Sequence, residues 1–368
     1  MPKGTFGGSS FTYGVKNALA FNPLNNSLFI TGHDHQQMVA EVSIPNPIVT
    51  SQEGNLPTAT VLQPFADASD GKMFTVDSGT IKVGGLLAVN NKLYGTAYSY
   101  YDASGDQTLS HFSSSQDLSK QGDAQGMYKV GTEKTGYVSG YMTPIPTEWQ
   151  TSFGGPAITG NCCLSIISRT SYGPAAFVFD PAKLGQQSPV PAAPLVYYPS
   201  SHPLAEWSST SPHFNGTTKI SAIVFPKNSR SLLFLGRHGT GAWCYGTGGT
   251  GGECNDPTST NKGNHAYPYV NQIWAYDALD LLKVKEGNKS PWEINPYQTW
   301  QFTLPFQTEG DSPISGGTYD PSTQRIFISH DRGSSPLIIH VYKLNLSTTN
   351  TDTTPPAQPK NLELRIIP

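Results

Sequence analysis

Five short polar stretches carry side chains that could bind a metal, an anion or a sugar. Each stretch follows a run of residues that is typical of a β-strand. The five are His33-Asp34-His35, Tyr98-Ser99-Tyr100, Ser168-Arg169, Arg237-His238 and His330-Asp331-Arg332. Imidazole and carboxylate groups ligate divalent cations, and arginine binds anions through its planar guanidinium. Their recurrence behind strands indicates one structural position that is repeated five times.

A metal centre is one function that such residues could serve. The candidate ligands are His33, His238 and His330, with Asp34 or Asp331 as a further ligand. Such a set suits Zn, Mn or Fe, whereas an oxygen-rich site would suit Ca. No local spacing such as H-E-x-x-H occurs. The metal hypothesis therefore requires a fold that brings the repeats together.

Acidic residues beside tryptophan favour a carbohydrate ligand. Glu148-Trp149 and Glu206-Trp207 lie between repeats, and Glu309 and Asp311 lie in a third such segment. Aromatic faces stack on sugars, and carboxylates accept hydrogen bonds from hydroxyls. Two carboxylates across a pocket would also permit glycoside hydrolysis. The side chains that could bind an anion or tune a carboxyl pKa there are Arg169, Arg237 and His238.

We therefore predict one ligand site, for a carbohydrate or another small molecule, with binding as the leading function. The alternative is a glycoside hydrolase or a metal-dependent hydrolase at the same site, with Ca, Zn or Mn as the candidate metals. The predicted ligand-binding residues are His33, Asp34, Arg169, Arg237, His238, His330, Asp331, Glu148, Trp149, Glu206, Trp207 and Glu309. Each also has a plainer interpretation, because strand ends are usually polar where they meet water.

Five matched hairpins must position these residues. They are "ALAFNPLNNSLFITGHD", "GGLLAVNNKLYGTAYS", "TGNCCLSIISRTS", "ISAIVFPKNSRSLLFLGRH" and "ISGGTYDPSTQRIFISHD". A third strand follows each hairpin, and three of these strands run into a D-x-x-L pattern that predicts a helical turn. A fourth strand, such as "TGYVSGYMTP", follows in four units. The last unit lacks one, and the N-terminal "GTFGGSSFTYG" can supply it.

This repeat predicts an all-β fold: a five-bladed β-propeller of four-stranded antiparallel blades over residues 1–345, closed by the N-terminal strand. In that fold, the loops between second and third strands emerge on the same face as the loops between blades. Both sets converge on the mouth of the central channel. The candidate residues would then face one another around one axis.

Composition agrees with an all-β protein and argues against some partners. Only 13% of the 368 residues are charged, against about 25% in typical domains, and there are 37 glycines and 30 prolines. The net charge is −3 and no Lys/Arg-rich run occurs, which argues against nucleic-acid binding. No apolar run is long enough for a membrane span. The opening "MPKGTFGGSS" lacks the apolar segment of a signal peptide, so we expect either a cytosolic protein or a trimmed secreted one.

The four cysteines bear on the compartment. Cys244 and Cys254 flank the glycine-rich "CYGTGGTGGEC", and a disulfide between them would order this loop. That pairing favours an extracellular setting. Cys162 and Cys163 are predicted to lie in a strand, to point to opposite faces and to remain buried thiols rather than to form a bond with each other.

Several segments carry a resemblance, among them "ALAFNPLNNSLFITGHDHQQMVAEVSIP" and "GGTYDPSTQRIFISHDRGSSPLIIHVYKL". They resemble a group of uncharacterised, predicted secreted bacterial proteins, over most of residues 10–345. The resemblance implies an extracellular propeller-like protein and carries no activity. Residues 346–368 are Thr/Asn-rich and then Pro-rich, which predicts a linker. Their last part, "PPAQPKNLELRI", resembles the opening strand of a fibronectin type III module.

Overall fold

Five four-stranded antiparallel sheets account for most of the chain. The computed structural model describes residues 1–14, 18–77 and 80–345, and the backbone of Arg365–Ile366. Blade I contains Leu19–Asn22, Ser27–Thr31, Val39–Ser43 and Val61–Ala66. Blade II contains Ile81–Val89, Lys92–Ser99, His111–Ser115 and Gln125–Tyr128. Blade III contains Met142–Pro144, Ala157–Thr159, Ala176–Phe179 and Ala192–Val196. Blade IV contains Lys219–Val224, Ser231–Gly239, Tyr269–Asp277 and Gln298–Phe302. Blade V contains Ile314–Asp320, Arg325–Arg332, Ser335–Lys343 and Arg365–Ile366.

The five sheets form a closed ring. The first strand of each blade contacts the first strands of both neighbouring blades, and blade V returns to blade I. Between blades II and III the chain leaves no room for a side chain at Gly84, where an added Cβ atom would lie 2.0 Å from the carbonyl oxygen of Ser139, just before the first strand of blade III. The protein is therefore a five-bladed β-propeller, as the repeat predicted.

Five hydrophobic clusters, one for each neighbouring pair of blades, hold the ring together. The largest lies between blades III and IV and includes Phe234, Trp274 and Tyr276, all fully buried. Strands alternate their side chains between two faces, so each sheet contributes to the clusters on both of its sides. Burial of this apolar surface between the blades is the main stabilising contribution to the fold.

The predicted units coincide with the blades except in blades II and III. The segment "TGYVSGYMTP" is not the fourth strand of blade II, which is Gln125–Tyr128; its last residues, Met142–Pro144, form the first strand of blade III. The hairpin predicted in "TGNCCLSIISRTS" is also wrong, because only Thr159 belongs to a strand. Strands of three or four residues containing Gly or Pro are too short to show a period of two.

Both chain ends cover the outer edge of the third strand of blade V. At its start, the Leu337 amide donates to the carbonyl of Phe11 (2.9 Å), and the Tyr13 amide donates to the carbonyl of Gly333 (2.7 Å). At its end, Arg365–Ile366 pairs with Lys343 and Tyr342. The N-terminal segment thus bonds to the last blade, but the strand paired there as the fourth is Arg365–Ile366 rather than the N-terminal one. The remainder of the predicted linker and fibronectin-like start lies outside the described residues.

In the described residues, two short α-helices and two small hairpins lie outside the blade sheets. The helix Ala278–Lys285 follows the third strand of blade IV, and the Asp277 carboxylate caps it by accepting from the Leu279 amide (3.0 Å). This confirms the helical turn predicted by the D-x-x-L pattern. The other helix is Thr147–Phe153, and the 3₁₀ helices are Glu53–Asn55, Lys72–Thr75, Thr135–Tyr137, Pro181–Lys183 and Pro291–Glu293. The hairpins are Thr5–Phe6 with Ser9–Ser10 and Cys244–Thr247 with Lys262–His265.

Both cysteine pairs are disulfides. Cys244–Cys254 is confirmed and closes the glycine-rich loop. The prediction for Cys162 and Cys163 is wrong, since these neighbours are bonded to each other and lie outside any strand. Adjacent side chains point apart in an extended strand, so a bond between them requires a non-extended backbone. In the described part of the chain, no helix combines the length and apolar character needed to cross a membrane.

Candidate functional site

A polar cavity of about 510 Å³ opens at the axial mouth between blades IV and V. Its wall is formed by the beginnings of the first strands of these blades, the ends of their second strands and the loop that joins the two blades. Its lining residues are Lys219, Ser221, Arg237, Phe306, Thr308, Asp311, Ser312, Pro313, Ile314, Ser315, His330, Asp331, Arg332 and Gly333. A volume of this size is typical of a small-molecule site.

Arg237 is a partly buried cation in the lining of this cavity. It stands at the top of the second strand of blade IV, directly opposite Lys219 in the ladder. Its guanidinium carbon lies 4.4 Å from the centre of the Tyr269 ring. Its Nε atom is buried and makes no hydrogen bond to any described residue. Desolvation lowers the pKa of Arg237, although the negative charges of Asp311 and Asp256 oppose that effect.

A buried group of hydrogen-bonded side chains around the Asp256 carboxylate supports Tyr269, whose ring lies against Arg237. The Tyr269 hydroxyl donates to Oδ2 of Asp256 (2.6 Å), and Nδ1 of His265 lies 2.7 Å from the same oxygen. Hydrogen bonds from His265 and Tyr269 lower the pKa of Asp256 against the opposing effect of burial, which alone would raise it. Asp256 follows Cys254 by two residues, so the disulfide anchors the segment that carries this carboxylate. The insertion of blade IV, residues 240–268, therefore positions Tyr269.

Two carboxylates belong to the same cavity. Burial raises the pKa of Asp331, and the negative charges of Asp311 and Asp34 raise it further. Asp311 is held by the loop between the blades, where Nε2 of Gln307 donates to its carbonyl oxygen (2.5 Å). Asn271 in turn donates to Oε1 of Gln307 (2.6 Å). The cavity therefore presents Asp331 as a carboxyl that retains its proton to higher pH than usual.

Predicted residues of blades V and I lie at or beside this cavity. His330 lines it and places Nδ1 3.1 Å from Nε2 of His340. Desolvation lowers the pKa of His330 to about 4, so its imidazole is neutral at pH 7. Asp34 forms an ion pair with Lys82 across the boundary between blades I and II (2.7 Å). His33 packs against Tyr13, with ring centres 5.5 Å apart.

Other predicted residues tie loops together instead. Arg169 forms a partly shielded ion pair with Asp102 and thereby joins a loop of blade II to one of blade III. His238 is buried, with Nδ1 3.0 Å from the Thr218 hydroxyl, and desolvation lowers its pKa to about 4. Neither residue lines the cavity between blades IV and V.

The acid–tryptophan pairs also have structural partners. Glu148 and Trp149 lie between the first and second strands of blade III, hence on the face opposite the predicted one, where Trp149 donates to the carbonyl of Ser229 (2.9 Å). Trp207 packs against Tyr172 and Phe214, while Glu206 is exposed. Glu309 is exposed and outside the cavity lining, which contains Asp311 of the same loop.

The three histidines predicted as metal ligands do not converge. His33, His238 and His330 have separate neighbours, namely Tyr13, Thr218 and His340. Across residues 1–14, 18–77 and 80–345, no group of three or more His, Cys, Asp or Glu side chains has a geometry that could hold a metal ion. Metal binding stays a prediction from the sequence without a preformed centre.

Some residues that line the cavity were not predicted from the sequence, because the prediction used only the ends of second strands and the loops between blades. Lys219, Ser221 and Ser315 belong to the beginnings of first strands, which reach the same face of the ring. The antiparallel pairing of first and second strands was a signal that could have identified them. Tyr269 and Asp256 carried no usable signal, because their roles depend on the path of the insertion.

Comparisons with known proteins give only distant similarities. No protein-family model and no curated protein matches the sequence. Among solved structures, the chain is similar to one whose description states that the GH130 family of mannoside phosphorylases contains glycoside hydrolases that target β-1,2 mannosidic linkages in Candida mannan. The two chains share 9% identity and a TM-score of 0.45, and the match covers 85% of that chain and 92% of this one. It is also similar to a putative glycoside hydrolase from Parabacteroides distasonis (10% identity, TM-score 0.45, 93% and 89%) and to the Dos1 propeller (12% identity, TM-score 0.30, 90% and 92%). These values carry no argument about function.

Proposed function

We propose that this protein is an extracellular binding protein that holds a carbohydrate at the axial cavity between blades IV and V. The observation that carries the proposal is the buried Nε of Arg237, which has no partner among the described residues. A buried donor without an acceptor costs free energy, about 1–3 kcal/mol or more when it is charged. Arg237 lines the cavity, and a ligand oxygen that reached its Nε atom would remove that cost.

The mixture of donors and acceptors supports a polyhydroxylated ligand. The lining contains the donor side chains of Lys219 and Arg237 and the carboxylate side chains of Asp311 and Asp331. A sugar hydroxyl both donates and accepts, so it suits a wall that carries both kinds of group. A purely anionic ligand would meet the two carboxylates unfavourably.

A glycan array followed by calorimetric titration tests this proposal. We expect the wild-type protein to bind at least one neutral glycan, and Arg237→Met to weaken that binding by about tenfold or more. Arg325→Met is the matched control, since Arg325 starts the second strand of blade V at the end away from the cavity. Binding that is equal in wild type and Arg237→Met would contradict the proposal.

A glycoside hydrolase remains the second candidate, and the raised pKa of Asp331 favours it. A protonated carboxyl can donate to a glycosidic oxygen while a second carboxylate activates water or attacks the sugar. Asp331 would be the acid and Asp311 the partner. Release of reducing sugar from the bound glycan, lost in Asp331→Asn while binding persists, would identify hydrolysis. Binding without release would leave a binding protein.

The extracellular assignment within this proposal is supported by two observations. Both cysteine pairs are oxidised, which is usual outside the cytosol. The resemblance to predicted secreted bacterial proteins points the same way. Detection of the protein in the culture medium of its source, in disulfide-bonded form by mass spectrometry after thiol alkylation, would test it.

A further inference from the structure

An exposed stripe of three aromatic rings runs beside the axial cavity. The ring centres of Tyr13 and His33 are 5.5 Å apart, and those of His33 and His35 are 5.2 Å apart. Tyr13 is 50% exposed, although a large aromatic side chain usually gains its stabilising effect by burial. The stripe Tyr13–His33–His35 therefore contributes little to the core.

The backbone of Tyr13 is held in an unusual conformation. Its φ is +52°, in the left-handed region that a bulky residue seldom adopts. Two hydrogen bonds maintain it: the Tyr13 amide donates to Gly333 (2.7 Å), and the Asp34 amide donates to the carbonyl of Tyr13 (3.0 Å). Glycine would occupy this position at lower cost. Strain that presents an exposed side chain is a recognised sign of function.

A backbone hydrogen bond joins the stripe to the edge of the cavity. Gly333, which accepts the hydrogen bond from Tyr13, lines the cavity itself. Next to the stripe, the Asp34 carboxylate is paired with Lys82, whose Nζ also donates to the Asp34 carbonyl (3.0 Å). The local charge is thus compensated. The ring planes of Tyr13 and His33 are tilted by 60°, and those of His33 and His35 by 81°. The exposed Tyr13 ring, with the imidazoles beside it, is therefore the aromatic face that suits the apolar side of a sugar ring.

We propose that Tyr13, with His33 and His35, forms an outer subsite that stacks on a neutral sugar of an oligosaccharide whose neighbouring sugar occupies the axial cavity. This inference rests on the proposed carbohydrate-binding function and deepens it. The ligand would be a chain of at least two sugars rather than a free monosaccharide. Arg237 and the carboxylates would select the inner sugar, and the stripe would add affinity for the chain.

Affinity as a function of chain length tests the subsite. The probes are cello- and manno-oligosaccharide series from one to six sugars, plus the same length series of any neutral glycan bound on the array. Dissociation constants would be measured by calorimetry. We expect the wild type to bind the longer members more tightly than the monosaccharide, by about 2- to 10-fold for one stacking contact.

Tyr13→Gly is the informative variant, because it removes the ring while relieving the left-handed backbone. It should bind all lengths with the affinity that the wild type shows for the monosaccharide, and Tyr13→Phe should retain the preference for chains. Leu24→Ala alters a side chain that is 61% exposed in the first turn of blade I, at the opposite face, and should change nothing.

The outcomes separate this inference from the proposed function. If wild type and Tyr13→Gly bind long chains equally, or if affinity does not depend on length, the outer subsite is wrong while carbohydrate binding stands. If the wild type binds no member of any series, the proposed function itself is wrong, and the subsite with it.

Discussion

At the scale of single residues, the cavity is built from charges whose burial is incompletely compensated. Arg237 has a buried nitrogen without a partner in the described chain, and the Asp331 carboxyl is partly desolvated near two other carboxylates. Such groups lower the stability of the ligand-free protein. They are expected where a protein retains groups for binding rather than for folding.

Replacing Asp331 with asparagine should stabilise the protein at neutral pH. Because the folded-state pKa of Asp331 is raised, the folded chain holds this proton more firmly than the unfolded chain. Its contribution therefore becomes destabilising as pH rises from the usual carboxyl pKa through the raised one. Thermal unfolding should show a higher Tm for Asp331→Asn at pH 7 and no gain at pH 3. Glu206→Gln, at an exposed carboxylate, is the control. A lower Tm for Asp331→Asn at pH 7 would contradict this account.

At the scale of elements, the insertion of blade IV links a disulfide to the axial cavity between blades IV and V. Cys244–Cys254 anchors the loop that carries Asp256, Asp256 accepts from Tyr269, and the Tyr269 ring lies under Arg237. The insertion, residues 240–268, contributes no described residue to the inter-blade hydrophobic clusters. Its order therefore depends on hydrogen bonds and on the covalent link more than on the inter-blade clusters.

Removing this disulfide should loosen the insertion and leave the propeller folded. In the Cys244→Ser/Cys254→Ser double variant we expect faster amide exchange over residues 244–265, with Tm lowered by only a few degrees. Binding of the array glycan should weaken several-fold, because Tyr269 loses its support. Hydrogen exchange read by mass spectrometry checks the first effect. Tyr269→Phe, which removes only the hydroxyl, is the matched variant. Unchanged exchange in the double variant would argue against the disulfide as the anchor.

The sequence predicted long hairpins well and short or covalently constrained segments poorly. The first hairpins of blades I, IV and V have strands of four to nine residues on either side of turn-forming residues, so two apolar runs separated by a polar turn are visible in the sequence. Met142–Pro144 and Gln125–Tyr128 are too short for that. In the site, Arg237, His330 and Asp331 were predicted because their position repeats from blade to blade. Tyr269 was not, since its role follows from the tertiary path of the insertion.

At the scale of the whole molecule, the ring depends on contact between its two ends. Phe11 of the N-terminal segment is buried against Phe65 of blade I, with ring centres 4.7 Å apart, and its carbonyl accepts from Leu337 of blade V. This residue therefore joins the first blade to the last. Loss of its side chain would open a cavity at the closure.

Phe11→Ala should lower the free energy of unfolding by about 3–5 kcal/mol, the usual cost of removing a buried phenylalanine. Chemical denaturation followed by tryptophan fluorescence measures it. Phe74→Ala, at a 40% exposed side chain, is the control and should cost far less. A cost below about 1 kcal/mol for Phe11→Ala would show that the closure is supported elsewhere.

Buried neutral histidines should make the whole ring sensitive to acid. Desolvation lowers the pKa of His111 and His340 to about 3 and that of His238 and His330 to about 4. The unfolded chain takes up protons at these side chains from about pH 6.5 downward, whereas the folded chain does not. Their contribution to stability is therefore present above pH 6.5 and is lost progressively as pH falls through about 4 for His238 and His330 and about 3 for His111 and His340.

Tm measured from pH 8 to pH 4 should fall steeply below pH 6.5, and His111→Gln should reduce that slope. His111 lies between blades II and III, where Nε2 is 3.0 Å from the Thr159 hydroxyl, and glutamine preserves polar contacts without taking up a proton. His202→Gln, at an exposed side chain, serves as the control. An unaltered slope in His111→Gln would assign the acid sensitivity to other groups.

The chain leaves blade IV at Gly239 and returns at Tyr269, and these two residues are direct partners in the same ladder. The insertion, residues 240–268, therefore begins and ends beside one pair of opposite residues in the sheet. Because its ends are already paired, we expect that a longer, shorter or unrelated segment could replace it without shifting the register of the blade IV strands. Selectivity at the mouth can therefore diversify, in evolution or by grafting, independently of the scaffold that carries it.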